Sequence, residues 1–160
     1  MIKGNKIIVK TGEYSVSDNC NVLITHGLGS CVAVTIHDEE NKIGGMLHYL
    51  LPESPNKEKK SKYADTGLDL LLARLLELGA NREKLKAKLF GGAMMFGDFI
   101  KDKSKSVGGR NIKKAREVLG GYGIPIIGED VGGNYGRSVE FDIATGIAKI
   151  NSYIKREKSI

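Results

Sequence analysis

The sequence predicts an α+β fold carrying mixed and antiparallel sheet. Two observations lead there: strand-like runs crowd the first fifty residues, and only two later stretches have good helical periodicity. That pattern favours layered α+β over a doubly wound parallel sheet. Extended runs are expected at 6–10, 22–25, 31–37 and 43–49. Residues 31–37 are rich in β-branched side chains, and the polar cluster Asp38-Glu39-Glu40-Asn41 is of the kind that closes hairpins. After a polar loop at 52–60, Ala64, Leu68, Leu71, Leu72, Leu75 and Leu76 recur at helical spacing. They predict a core-facing helix over 63–78, with Ser61 as N-cap and Gly79 as the C′ glycine.

Residues 85–89 alternate as a strand with one buried face, and 91–96 read as a turn or close-approach loop. A second helix is expected over 110–119, entered from Gly108-Gly109 and stopped by Gly120-Gly121. Strands follow at 124–128 and 138–141, flanking a loop at 131–136. A turn at 144–146, a last strand at 147–150 and a frayed end over 155–160 complete the reading. No repeat or linker interrupts the 160 residues, a length that suits one domain.

Composition narrows the function classes. Hydrophobic residues make up 41% and charged residues 28%, as in ordinary soluble domains. The sequence carries neither an apolar run of membrane-spanning length nor a charged-then-apolar leader, so a cytoplasmic location is expected. Two cysteines, Cys20 and Cys31, do not suggest a disulfide framework, and no spacing suits zinc. The formal charge of +6 permits nucleic-acid binding, but the lysines are scattered. With no tryptophan and 6% aromatics there is little from which to build a stacking platform, so no nucleic-acid partner is expected. Attraction to acidic protein surfaces explains the charge equally well. The glycine-rich loops match neither a dinucleotide fingerprint nor a P-loop.

The hairpin carries the most informative pattern. Pairing His37 with Lys42 puts Thr35 opposite Gly44, Ala33 opposite Met46 and Cys31 opposite His48. A thiol and an imidazole then share one face at the open end of the hairpin, as a cysteine nucleophile requires. Upstream, Gly27 and Gly29 allow tight backbone geometry before Ser30 and Cys31. Such a turn aims successive N–H groups at one point beside the sulfur, the requirement of an oxyanion hole. His48 is the candidate base, and Thr25 is placed to orient its ring. The register argument alone leaves the ordinary alternative open, with Cys31 as a small core hydrophobe and His48 as a core or rim residue. His26 should point away from Thr25, His37 should be exposed, and Cys20 has no patterned base. Cys31 is expected to alkylate faster than Cys20, through a thiolate of depressed pKa.

The strings Gly-Leu-Gly-Ser-Cys-Val-Ala-Val (27–34) and Gly-Gly-Met-Leu-His-Tyr-Leu-Leu-Pro (44–52) resemble the CheD family of chemoreceptor glutamine deamidases. Further matches follow in order: Lys62-Tyr-Ala-Asp65, Gly91-Gly-Ala93, Gly109-Arg-Asn111, Glu129-Asp130, Gly132-Gly-Asn134 and Arg137-Ser138. The resemblance implies an α+β sandwich of cysteine-hydrolase type, related to the deamidase domain of cytotoxic necrotising factor. It places the nucleophile on Cys31, the base on His48 and the orienting threonine on Thr25. It also implies hydrolysis of glutamine to glutamate on methyl-accepting chemotaxis receptors, without metal or organic cofactor. Glutamyl methyl ester hydrolysis would pass through the same acyl intermediate. The implied partners are the receptors, touched from the cytoplasmic side, and a CheC-type phosphatase. A docking-only regulator of that phosphatase, or a deamidase of another cytoplasmic protein, are the competing readings. Where many relatives have serine after Gly-Gly-Ala, this chain has Met94.

Overall fold

A computed structural model describes residues 4–56, 58, 60–95, 102–152, 154 and 157–160. One mixed sheet has the order β1 (Lys6–Ile8), β3 (Val22–Leu28), β8 (Arg137–Asp142), β9 (Ala148–Asn151), β10 (Lys158–Ser159). The other has the order β2 (Tyr14–Ser17), β5 (Ile43–Tyr49), β4 (Val32–Asp38), β6 (Lys86–Gly91), β7 (Ile126–Val131). Among the described strands, only β1–β3 and β6–β7 pair in parallel. The helices α1 (Ala64–Glu77) and α2 (Val107–Tyr122) pack on the second sheet, giving layers of helix, sheet and sheet. The α+β reading holds.

Period-two alternation on β4, β5 and β6 serves two cores at once, because this sheet is covered on both faces. Val32, Val34, Ile36, Leu47, Tyr49 and Leu89 meet Leu68, Leu71, Leu75, Ile112 and Leu119 of the helices. The intervening Ala33, Met46 and Phe90 meet Leu23, Leu28, Val139 and Phe141 of the other sheet. Both central strands are therefore buried from end to end. Each fully buried leucine or phenylalanine contributes about 1.5–3 kcal/mol, so these two cores carry the fold. Functional groups on the inter-sheet face sit in low dielectric.

Several expectations are corrected. The hairpin closes one residue later, through residues 39–42, with Asp38 opposite Ile43 and Lys42 at φ 55°. The pairing thus slips by two: Ala33 stands opposite His48 and Thr35 opposite Met46. A slip of two preserves faces where a slip of one would invert them. Cys31 lies just ahead of β4, two residues before Ala33 and on the same face as His48, one diagonal step away. Strand β2 was not expected, being four residues long and only weakly alternating.

Ser61 does not cap α1. Its hydroxyl donates to the Gly12 carbonyl, and the N-cap position belongs to Tyr63. Gly79, at φ 100°, does follow the helix in the expected left-handed conformation. Helix α2 absorbs the glycine pairs at both ends: Ser106 caps it by accepting from the Gly109 N–H at 3.0 Å, and Gly123 ends it at φ 75°. Gly108 is there for approach, since a Cβ would lie 2.4 Å from the Gly92 carbonyl oxygen. At the C-terminus, residues 158–160 are not frayed. They pair with β9, and Lys88 Nζ donates to the Ile160 carbonyl at 2.7 Å. Residues 155 and 156, like Phe96 at the end of the expected 91–96 loop, lie outside the described residues. His37 is buried rather than exposed, donating from Nε2 to the Ile143 carbonyl and packing edge-on against Phe141.

Candidate active site

Thr25 on one sheet and His48 on the other face each other across the inter-sheet space, both fully buried. Their Oγ1 and Nδ1 are 2.7 Å apart. Thr25 Oγ1 also lies 2.6 Å from the Val9 carbonyl oxygen, which only accepts, so the hydroxyl proton goes there. The hydroxyl oxygen must then accept from Nδ1–H. The proton on Nδ1 leaves Nε2 as the ring's free lone pair, and among the described residues Nε2 has no hydrogen-bond partner. A neutral imidazole is thereby held in the tautomer a general base needs. Burial drives the His48 pKa from the usual 6.5 to about 4, so at neutral pH the ring is uncharged.

The loop leading to Cys31 is set by a bulge. Thr25 pairs with Val139 and Leu28 with Arg137, so β3 carries one residue more than β8 across this step. The extra residue, at Gly27, is accommodated at φ 69°. His26 points outward, as expected, with Nδ1 3.1 Å from Ser138 Oγ. It lines a 520 Å³ hollow with Gly27, Arg137 and Ser138. Gly29 does not need positive φ. Its backbone instead passes under Met95, whose Cγ would be 3.2 Å from an added Cβ.

Three carbonyls of the loop are anchored. Gly29 accepts from the Ala93 N–H at 2.8 Å, Cys31 accepts from the Gly92 N–H at 2.8 Å, and Ser30 accepts from Asn111 Nδ2 at 2.9 Å. Gly91 permits this approach: at φ 96°, any Cβ would lie 2.4 Å from the Cys31 carbonyl oxygen. The loop that follows β7 braces the Gly91-Gly92 turn, with Gly132 N–H donating to Gly91 and Met94 N–H to Gly133, each at 2.9 Å. Arg137 in turn holds that loop. It is almost fully buried, pairs with Asp130 at 2.8 Å and donates to the Gly132 carbonyl at 2.7 Å. The ion pair with Asp130 is thus how Arg137 supports the turn.

Cys31 is half-buried against the inter-sheet core, whereas Cys20 is exposed. Burial pushes the Cys31 thiol up, while its own backbone N–H, turned towards the sulfur, draws it partly down. The expectation of a depressed thiol pKa fails for the free protein because the neutral His48 supplies no positive charge to hold a thiolate. No hydrogen bond joins Cys31 to His48 among the described residues. The pair is a thiol and a neutral imidazole one diagonal strand step apart, and free enzymes commonly show such loose geometry before substrate binds.

Asn111 is a buried residue beside the site to which sequence reasoning gave no role. It is fully buried, and Nδ2 donates both to Ser30 and, at 2.8 Å, to the Leu50 carbonyl. Tyr49 Oη donates to the Asn111 carbonyl at 2.5 Å. The signal was available: Asn111, Ala115 and Leu119 follow at intervals of four, which puts a polar residue on the helix's buried stripe. No group of three or more His, Cys, Asp or Glu among the described residues is arranged to hold a metal. None of the helices described is long and apolar enough to cross a membrane.

Fold and site together define an α+β protein with a thiol, an oriented imidazole and a glycine-framed turn at the end of an inter-sheet space, an arrangement competent for acyl transfer. The family model for CheD chemotactic sensory transduction matches residues 50–152. A probable chemoreceptor glutamine deamidase CheD of Pyrococcus abyssi is 43% identical over 152 residues, covering 93% of each chain. The chemoreceptor glutamine deamidase CheD of Thermotoga maritima is 44% identical over 142 residues, covering 88% of each. One from Methanosarcina acetivorans is 42% identical over 158 residues, covering 96% of each. The chain belongs to the CheD family.

Proposed function

We propose that this protein is a cysteine-dependent glutamine deamidase of methyl-accepting chemotaxis receptors. The observation that carries the reading is the Thr25–His48 hydrogen bond, which fixes a neutral imidazole with Nε2 free one diagonal strand step from the half-buried thiol of Cys31. A protein kept only for docking has no use for a buried, tautomer-locked histidine with an unmet nitrogen, a feature that costs stability. Relatives named as chemoreceptor glutamine deamidases supply the substrate class.

The chemistry follows from the groups in place. Cys31 Sγ attacks the side-chain amide carbon of a receptor glutamine as His48 Nε2 takes the thiol proton. Burial of the site by bound substrate brings the diagonal pair together and removes competing water. The carbonyl oxygen becomes an oxyanion beside the N–H groups of Ser30 and Cys31, in the turn shaped by Gly27 and Gly29. Imidazolium Nε2–H then protonates the nitrogen, the C–N bond breaks and ammonia leaves. Water, activated by His48, hydrolyses the thioester to glutamate and regenerates the thiol. No step calls for a metal or organic cofactor. The constellation resembles that of papain-like cysteine hydrolases and the cytotoxic necrotising factor deamidase. A glutamyl methyl ester would enter the same cycle, releasing methanol.

The test is mass spectrometry of a receptor cytoplasmic fragment incubated with the protein or with its Cys31→Ala variant. Site-specific conversion of glutamine to glutamate, absent in the variant, supports the proposal. No conversion, with a CheC-type phosphatase still bound, overturns it in favour of a docking role. Conversion confined to a different cytoplasmic protein keeps the chemistry and overturns the substrate.

A further inference from the structure

We infer that Asn111 is the positioning residue of the oxyanion hole: it aims the Cys31 N–H by holding the Ser30 carbonyl. Within a trans peptide, C=O and N–H point in opposite directions. The Ser30 carbonyl and the Cys31 N–H belong to one such unit, and the carbonyl is held by Asn111 Nδ2 at 2.9 Å. The N–H is thereby driven away from α2 and towards Sγ, the side on which its influence on the thiol is felt. An oxygen anion formed when Sγ attacks a carbonyl arises on that side. The Ala93 N–H clamps the Gly29 carbonyl in the same way and fixes the Ser30 N–H.

The amide orientation of Asn111 is settled by its partners. The same atom faces two carbonyl oxygens, of Ser30 and of Leu50, so it must be the nitrogen, which gives one proton to each. Leu50 lies two residues beyond His48. One side chain therefore ties the residue before the nucleophile to the strand end that carries the base. Asn111 Oδ1 has no partner among the described residues although it is buried, a cost that makes sense if the residue is there for its two donors. Aspartate would oppose a carboxylate to two carbonyls, and apolar side chains would release both. Serine offers a single short donor.

This inference rests on acyl transfer at Cys31, and its test separates the two. In a Cys20→Ser background, two reactions of Cys31 are followed. With p-nitrophenyl acetate, Sγ bonds to the acetyl carbon through an oxyanion and p-nitrophenolate leaves. With iodoacetamide, Sγ bonds to the methylene carbon and iodide leaves, with no oxyanion. For Asn111→Ser and Asn111→Ala, the ratio of acylation to alkylation is expected to fall at least tenfold. Release of the Cys31 N–H should move the pH profile of alkylation upward, so both rates are compared on their high-pH plateaus. Tyr49→Phe, which cuts the other link to the same residue without freeing Ser30, should lower the melting temperature and leave the ratio unchanged. An unchanged ratio in the Asn111 variants overturns the inference, as does an equal fall in Tyr49→Phe, which would mark general loosening of α2. If a variant does not fold, the remaining one and Tyr49→Phe decide it. A ratio that falls in the Asn111 variants, together with a wild type that converts no receptor glutamine, would contradict the deamidase reading alone.

Discussion

The Thr25 hydroxyl donates to the Val9 carbonyl and accepts from His48 Nδ1, so one threonine on the outer sheet dictates which nitrogen of a histidine on the inner sheet is free. The relay starts on β1's side of the molecule and ends on the face that Cys31 shares. It gives the two sheets a chemical connection in addition to their shared core.

Thr25→Val should therefore damage turnover more than stability. The β-branched shape is retained, but Nδ1–H loses its acceptor and the ring loses its fixed tautomer. Turnover is expected to fall on the order of 100-fold, as for other imidazoles deprived of their orienting group. Thr25→Ser, which keeps Oγ, should stay near the wild type. Steady-state deamidation of a receptor fragment distinguishes them, and equal losses in both variants would contradict the relay.

His48 also sets a pH dependence of stability. Its folded pKa, about 4, lies below the unfolded value of 6.5. The unfolded chain takes up the proton first, so the contribution is fully present above the unfolded value and is lost as pH falls from there towards 4. The loss is on the order of 3 kcal/mol. His37, also lowered by burial, acts with the same sign. Urea unfolding at pH 7.5 and pH 4.5 should show a large drop for the wild type and a smaller one for His48→Gln. Identical drops would show that His48 is not held neutral.

Legibility in the sequence followed the range of the interaction that decides each feature. Which face Cys31 and His48 occupy depends only on period-two alternation, and it survived a slip of two in the pairing. The slip itself was set by Lys42 at positive φ, a conformation that nothing in Asp38-Glu39-Glu40-Asn41 announces. Thr25 was legible as a neighbour of the nucleophile turn, but its double hydrogen bond needs β1 and the opposite sheet in place. The start of α2 was misread because Gly108 is demanded by contact with the distant Gly92, and a glycine pair looks like a breaker until that contact is known. The thiol pKa was misjudged because burial of both partners is a tertiary property.

The pH dependence of Cys31 reactivity follows from that correction. Iodoacetamide labelling of the Cys20→Ser protein should rise with a midpoint above the usual thiol value of 9.0, because burial outweighs the single N–H that favours thiolate. His48→Gln should barely move the midpoint, since a neutral ring contributes no charge. A midpoint below neutrality, abolished in His48→Gln, would instead show a preformed thiolate–imidazolium pair.

Gly91→Ala should be costly for two reasons acting together. The φ of 96° disfavours a side chain, and the new Cβ would sit 2.4 Å from the Cys31 carbonyl oxygen. A loss of about 2–4 kcal/mol is expected. Gly123→Ala shares a positive φ of 75° but meets nothing within 4 Å, and it should cost only about 1–2 kcal/mol. Equal costs by urea denaturation would mean that the approach of Gly91 to the nucleophile peptide is not tight.

The central claim is that Cys31 hydrolyses glutamine side chains with His48 as its base. The most direct measurement is tandem mass spectrometry of a receptor cytoplasmic fragment after incubation with wild type, Cys31→Ala and His48→Gln proteins. Conversion of particular glutamines to glutamate by the wild type, and by neither variant, is the predicted result. Conversion that persists in Cys31→Ala would contradict the account.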